Sequence, residues 1–271
     1  MKGVLGILYH DVYRAGTEPY GRLGRSASSY HVSDQAFARQ IDSIALAGLR
    51  VLDQTALARR ILAGDRTPGC YVCFDDGWRG AFEIAGPILE ERRLEALAFV
   101  TSDFIGRPLF ADVATLRRAA EGAFTIGCHG RSHRMLSSLT PAEIRAELSE
   151  SRDQIEQWIG RAVDILSVPG GATSRRVREE AQAAGFSMVF DSALSLNPTR
   201  HGIWGIGRIG VTNTTDETTF ARWLTGNLRP EARRKTLLSV PKTILGMRNY
   251  SRLRRLLLGE RGKPGEHVFR P

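Results

Sequence analysis

Seven short apolar runs, at 3–9, 70–74, 96–101, 124–128, 163–168, 187–191 and 206–211, are separated by stretches whose apolar residues return every three or four positions. That alternation reads as strand, amphipathic helix, strand. It is the pattern of a largely parallel sheet, because parallel neighbours need a long return connection between them. Seven such units in 271 residues favour a barrel-like α/β fold over an open sheet. Hydrophobic residues at 42% and charged residues at 25% supply a core and exclude wholesale disorder.

Helix boundaries are written into the sequence. Ser33 and Asp34 cap a segment with Phe37, Ile41 and Ile44 on one face, ending near Gly48. Thr140-Pro141-Ala142-Glu143 places a cap residue, a first-turn proline and a capping-box glutamate in order. Ile144, Leu148, Ile155 and Ile159 then repeat at helical spacing up to Gly160. Ser174 opens another helix that closes at Gly185, and Thr215-Asp216 opens one that stops near Gly226.

The net charge of +9 is unevenly placed. Residues 229–271 hold 12 Lys/Arg against 3 Asp/Glu, and the remaining 26 of each sign leave residues 1–228 neutral. The chain thus divides into a barrel domain, 1–228, and a basic extension, 229–271. Within the extension, 233–258 interleaves leucines with arginines, a pattern suited to packing on the barrel or to lying on an anionic membrane surface. No groove-reading motif accompanies the charge, so no nucleic-acid partner is expected. His10-Asp11 interrupts the first apolar run too early for a signal-peptide core, and no uncharged stretch approaches the roughly 20 residues that cross a bilayer. The expected location is cytoplasmic, peripheral to the inner membrane face if the extension binds lipid.

Four stretches at strand ends carry candidate chemistry. Phe74-Asp75-Asp76-Gly77-Trp78 sets two adjacent carboxylates where α/β barrels place their active sites. Like charges that close require a cation or different roles. His129-Gly130-Arg131-Ser132-His133 offers two imidazoles at i and i+4, and with one carboxylate they make an open site for a divalent first-row metal. Tyr9-His10-Asp11 ends the first strand and sends a histidine to the same mouth. Ser167-Val168-Pro169-Gly170-Gly171 runs into a tight turn whose amides, at Gly170 and Gly171, could face an oxyanion. Tyr9 and Trp78 complete the candidate substrate-facing set. Cys70 and Cys73 have C-x-x-C spacing, but the second half of a zinc or redox motif is missing.

Together these stretches resemble the polysaccharide deacetylase family (NodB-homology, the fourth carbohydrate esterase family) across roughly residues 4–212. The resemblance implies a distorted (β/α) barrel and metal-dependent removal of N- or O-acetyl groups from sugars. It implies Asp75 as general base and Asp76, His129 and His133 as metal ligands, with Zn2+ the expected ion and Co2+, Ni2+ or Fe2+ as alternatives. Three departures stand out. Gly130 replaces the usual Ser/Thr, leaving Ser132 to take over loop bonding. Ser167 replaces the usual arginine, so whatever orients Asp75 must come from elsewhere. No Leu-x-His follows Asp191. The sequence is similar to the branch that begins with Tyr-His, in which the acid histidine moves to the amino terminus, making His10 the candidate acid and His201 its rival. The function expected is hydrolysis of an N-acyl amino sugar, lipid-linked or polymeric. A decayed glycan-binding barrel and an amidohydrolase for non-sugar amides are the alternatives.

Overall fold

The computed structural model describes residues 1–17 and 28–235. Its strands are β1 (Val4–Tyr9), β2 (Asp11–Tyr13), β3 (His31–Ser33), β4 (Gly69–Phe74), β5 (Ala96–Val100), β6 (Phe124–Cys128), β7 (Ile165–Ser167), β8 (Met188–Phe190) and β9 (Ile209–Gly210). Its helices are α1 (Asp34–Leu46), α2 (Gln54–Leu62), α3 (Arg79–Glu83), α4 (Ala85–Glu91), α5 (Val113–Glu121), α6 (Pro141–Ile159), α7 (Arg175–Ala183) and α8 (Glu217–Leu224). Each of the seven apolar runs becomes a strand of one sheet, ordered β8-β7-β6-β5-β4-β1-β9, with every neighbour parallel. The sheet curls into a half-barrel, a distorted form of the (β/α) barrel. Strands β2 and β3, which the sequence pattern does not announce, make a separate parallel ladder in the register Asp11 to His31.

The curl is closed by the segment around Arg208. Ile206 pairs with Phe190 at the β8 edge. Three residues later, Ile209 pairs with Ile7 of β1. One stretch of chain therefore spans the gap between the sheet's two ends.

Strand parity sorts the side chains. Leu5, Ile7 and Tyr9 of β1, and Cys70, Val72 and Phe74 of β4, pack outward with Phe37, Ile41 and Ile44 of α1 in the larger core cluster. The alternate residues Val4, Leu8, Tyr71, Cys73, Leu97 and Phe99 fill the inside with Ile165, Phe190 and Ile206. The interior is narrow: a Cβ on Gly127 would lie 2.7 Å from both Ile165 and Phe99. Continuing the same parity past the strand ends turns His10, Asp75 and His129 inward, at the carboxy-terminal mouth.

The caps form as their residues dictate. Ser33 accepts from the Ala36 amide, Thr140 and Glu143 close a complete capping box, and Ser174 and Asp216 cap α7 and α8. No helix among the described residues is long and apolar enough to cross a membrane. Residues 236–258, most of the leucine- and arginine-rich stretch, lie outside the described residues.

Gly80, in α3, is where that short helix meets β2. A Cβ there would sit 1.9 Å from the Val12 carbonyl oxygen and 2.6 Å from Asp11 Oδ1. Glycine to alanine in a helix ordinarily stabilises; here backbone would have to move. Gly80→Ala is expected to destabilise by about 1–3 kcal/mol, the usual cost of overpacking, in urea denaturation. An unchanged or raised midpoint would show that α3 and β2 are not in this contact.

Candidate active site

Asp75 and Asp76 follow β4 directly and both are buried. Their roles separate at the backbone. Asp76 has φ +76 and Gly77 φ +92, so the chain reverses here in the left-handed region that a non-glycine residue rarely adopts. His133, at φ +59, shares that conformation. Such strain persists where surrounding structure imposes it, and it clusters at functional sites.

The turn aims Asp76 at two imidazoles. Asp76 Oδ1 lies 3.4 Å from His129 Nε2 and 3.2 Å from His133 Nε2. Donor atoms of these three residues all fall within 4.8 Å of one another. The other ring nitrogen of His129, Nδ1, is 2.8 Å from the Ser167 carbonyl oxygen. Donation there puts the proton on Nδ1 and leaves the Nε2 lone pair facing the cluster, the usual arrangement behind a metal-binding imidazole. Asp76 Oδ1 is buried with no hydrogen-bond partner among the described residues. A buried carboxylate oxygen left without a partner is costly unless a cation meets it. Two imidazoles and a carboxylate with open positions suit Zn2+ and its first-row neighbours, so the residues present fit such an ion.

Electrostatics agree. Burial alone would push Asp76 up, but the nearby imidazoles of His133 and His129 hold its carboxyl well below the usual range. Burial lowers His133, and the Asp76 carboxylate more than reverses that, leaving its pKa raised.

Asp75 is held from a direction the sequence did not indicate. Arg208, itself buried, donates from Nη1 to Asp75 Oδ1 at 2.8 Å and from Nη2 to Oδ2 at 3.1 Å. The same Nη2 donates to Ser167 Oγ at 2.8 Å, and Ser167 Oγ donates to Asp75 Oδ2 at 3.2 Å. Arg208 Nε reaches the Asp191 carbonyl oxygen at 3.2 Å. Arg208 thus stands in for the arginine missing at Ser167, and the serine fills the remaining space in the same network. Burial would raise the Asp75 carboxyl; the guanidinium overrides it, and its pKa is lowered. Asp75 Oδ2 remains 3.8 Å from His129 Nε2, beside the three-residue cluster. The sequence signal for Arg208 was an arginine flanked by Gly207 and Ile209 inside an apolar strand.

The loop carrying both histidines is pinned by Glu147 of α6. Its carboxylate accepts from the Arg131 and Ser132 amides at 3.1 and 2.9 Å and from the Ser132 hydroxyl. Ser132 therefore does bond the loop, to a helix partner the motif reading did not name.

The remaining candidates fall in different places. His10 is half-buried at the mouth, with its ring 4.5 Å from that of Tyr30. Its Nδ1 has no hydrogen-bond partner among the described residues. Desolvation lowers its pKa, and the charges of Asp76 and Asp75 offset this in part, so it shares a field with the site. Tyr9 lies in the outer core layer, its hydroxyl donating to Gln40 Oε1 at 2.9 Å, away from the mouth. Trp78 is buried and donates from Nε1 to Asp76 Oδ2 at 3.0 Å. Gly170 is exposed at φ +68, whereas the Gly171 amide is engaged by the Val168 carbonyl at 2.8 Å. His201 Nε2 accepts from Arg200 Nε at 3.1 Å. Cys70, Cys73 and Cys128 are free thiols buried in the core, and burial raises the first two to about 12 and the third to about 11. They are neutral and inert at ordinary pH.

Residues 64–189 match the family model for polysaccharide deacetylase. A candidate polysaccharide deacetylase, YxkH of Bacillus subtilis (strain 168), is 21% identical over 170 residues, 62% of this chain. The match spans 61% of that relative's own length. Among solved structures, the Streptococcus pyogenes deacetylase PplD, in complex with acetate, superposes with a TM-score of 0.71 at 15% identity, covering 81% of this chain and 97% of that one. IcaB from Ammonifex degensii superposes with a TM-score of 0.67 at 23% identity, covering 83% and 97%. At these identities the superpositions establish a shared fold.

Arg208→Ala would leave the Asp75 carboxylate buried without its cation. Breaking such a pair costs about 3–5 kcal/mol, and that loss is expected in chemical denaturation at neutral pH. Arg208→Lys should recover only part of it, since an ammonium cannot make the two-pronged contact. A loss under about 1 kcal/mol for the alanine variant would mean that Asp75 is held by something else.

Proposed function

From the match of residues 64–189 to the family model for polysaccharide deacetylase, we propose that this chain is a metal-dependent hydrolase that removes an N-acyl group from an amino sugar. The observation that carries the reading is the orphaned oxygen Asp76 Oδ1, buried and facing the Nε2 atoms of His129 and His133, with Asp75 beside it. A divalent cation held by Asp76, His129 and His133, with Zn2+ first among those such ligands favour, polarises an amide oxygen and lowers the pKa of water when bound.

The chain's own residues supply the rest. Asp75, ionised because Arg208 faces it, accepts the proton of the attacking water at Oδ2, the oxygen 3.8 Å from His129 Nε2. Arg208 and Ser167 keep that carboxylate from rotating. In this reading the amide of Gly170 donates to the oxygen that gains charge as the carbonyl carbon becomes tetrahedral. His10 gives its proton to the departing nitrogen as the C–N bond breaks, releasing a carboxylate and a free amine. The reading as a decayed, merely glycan-binding barrel loses its chief support, because Arg208 restores the guanidinium absent at Ser167.

The enzymatic reading is tested on N-acetylated glucosamine oligomers by measuring acetate release. Activity is expected to vanish on chelation and return with Zn2+ or Co2+. Asp75→Asn is expected to lose about 10²–10⁴-fold in kcat while keeping its metal, the range for removal of a general base. His10→Ala should fall similarly, with His201→Ala near wild type. Severe loss in His201→Ala alone would reverse the acid assignment, and a metal-free purified protein that no cation activates would sink the reading.

We further propose the two-part division, a barrel of 1–228 and an extension of 229–271. The stretch 233–258 would touch anionic lipid and bring the enzyme to a lipid-linked sugar at the inner membrane face. Its support is sequence pattern alone: at about 1 kcal/mol per basic residue near the surface, four engaged arginines give useful reversible binding. Co-sedimentation with anionic vesicles should be strong at low salt, weak at high salt, and lost on truncation at Asn227. Equal sedimentation of full and truncated chains would remove the membrane role.

A further inference from the structure

We propose that Trp78, braced by the buried Asp11–His31 pair, is a positioning residue that decides which oxygen of Asp76 meets the cation. The proposal rests on the metal-site reading above. A carboxylate can approach an ion through either oxygen or both. Here Oδ2 receives the indole N–H at 3.0 Å while Oδ1 faces the two imidazoles. Indole nitrogen is a donor only, so the oxygen it holds is kept toward the protein and Oδ1 is left for the ion. Groups that hold metal ligands in this way are worth about 10–100-fold in metal affinity.

Trp78 could do this only if it were itself fixed, and it is. Its ring stacks on Phe110 at 4.4 Å and an interplanar angle of 28°. The His31 ring meets it edge-on at 4.7 Å and 88°. Only 2% of Trp78 is exposed. His31 in turn is oriented by Asp11, Nδ1 lying 3.2 Å from Asp11 Oδ2, with both residues buried. Asp11 and His31 are direct partners in the β2–β3 ladder. One residue earlier on each side, His10 and Tyr30 lie ring against ring. Alternation along the ladder therefore gives it two faces. One presents His10 to the mouth; the other, through His31 and Trp78, braces Asp76. The Tyr-His-Asp run that brings in the candidate acid also supplies the far end of the support for a metal ligand.

The experiment is a Co2+ titration of the full chain, reading affinity by chelator competition and the visible absorption of the bound ion, with thermal denaturation of the metal-free protein alongside. Trp78→Phe keeps the ring and removes the donor; Phe110→Leu loosens the packing and keeps the donor. Trp78→Phe is expected to bind Co2+ about 10–100-fold more weakly with an altered absorption spectrum, because Oδ2 is released. Phe110→Leu is expected to lower the metal-free Tm with affinity near wild type. His31→Gln, which can still bond Asp11 but loses the ring edge, should weaken binding by a smaller factor. A folded Trp78→Phe protein with wild-type affinity and spectrum would overturn the proposal and leave the metal site standing. An equal loss in Phe110→Leu would overturn it too, by making packing the cause. A wild-type protein that binds no Co2+ would overturn both.

Discussion

The buried pair between Arg208 and Asp75 is the contact on which the site and the closure of the sheet both depend. An arginine charge inside a half-barrel is tolerable only because a carboxylate takes two of its donors and Ser167 and the Asp191 carbonyl take others. The reverse holds for Asp75, which would be pushed toward neutrality without the guanidinium. Beneath them the pair rests on apolar surface, with the guanidinium 5.5 Å from the Phe99 ring centre. Because Arg208 lies on the segment that passes from β8 to β1, the same contact pins the seam of the sheet.

This pairing divides labour between adjacent carboxylates. Asp75 has its charge matched within the protein and is held rigidly. Asp76, one residue on and turned by its left-handed backbone, meets imidazoles and an indole N–H among the described residues. Two like charges in sequence are given different partners: a guanidinium for one, the paired imidazoles of His129 and His133 for the other. The strain at Asp76 is the geometric cost of sending neighbouring side chains to different partners.

Much of this was legible from residue order. The seven strands and the caps at Ser33, Thr140 and Ser174 follow from local pattern, and the grouping of Asp76 with His129 and His133 is what the family resemblance implies. Local pattern failed where the contact was distant or the element short. Arg208 lies 133 residues from Asp75, and nothing near either residue announces the other. The three-residue strands β2 and β3 are too brief for a period to show, so the Asp11–His31 pair stayed hidden. Tyr9 and Trp78 look, as a sequence, like aromatic platforms at a sugar site. Parity along β1 sends Tyr9 to the helix layer, and the turn after Asp76 buries Trp78 with its indole N–H on Asp76 Oδ2.

The closing segment has a consequence for the order of events during synthesis. A ribosome makes Asp75 early and Arg208 late; at the usual rate of about 5–20 residues per second, the gap between them is on the order of ten seconds. Throughout that interval the nascent sheet has an unmatched carboxylate on its inner face and two unjoined edges. The half-built chain has reason to stay open and wet inside until the final strand arrives. Desolvation of the interior and completion of the site then become a single late step, so a chain cut short before Arg208 would have neither.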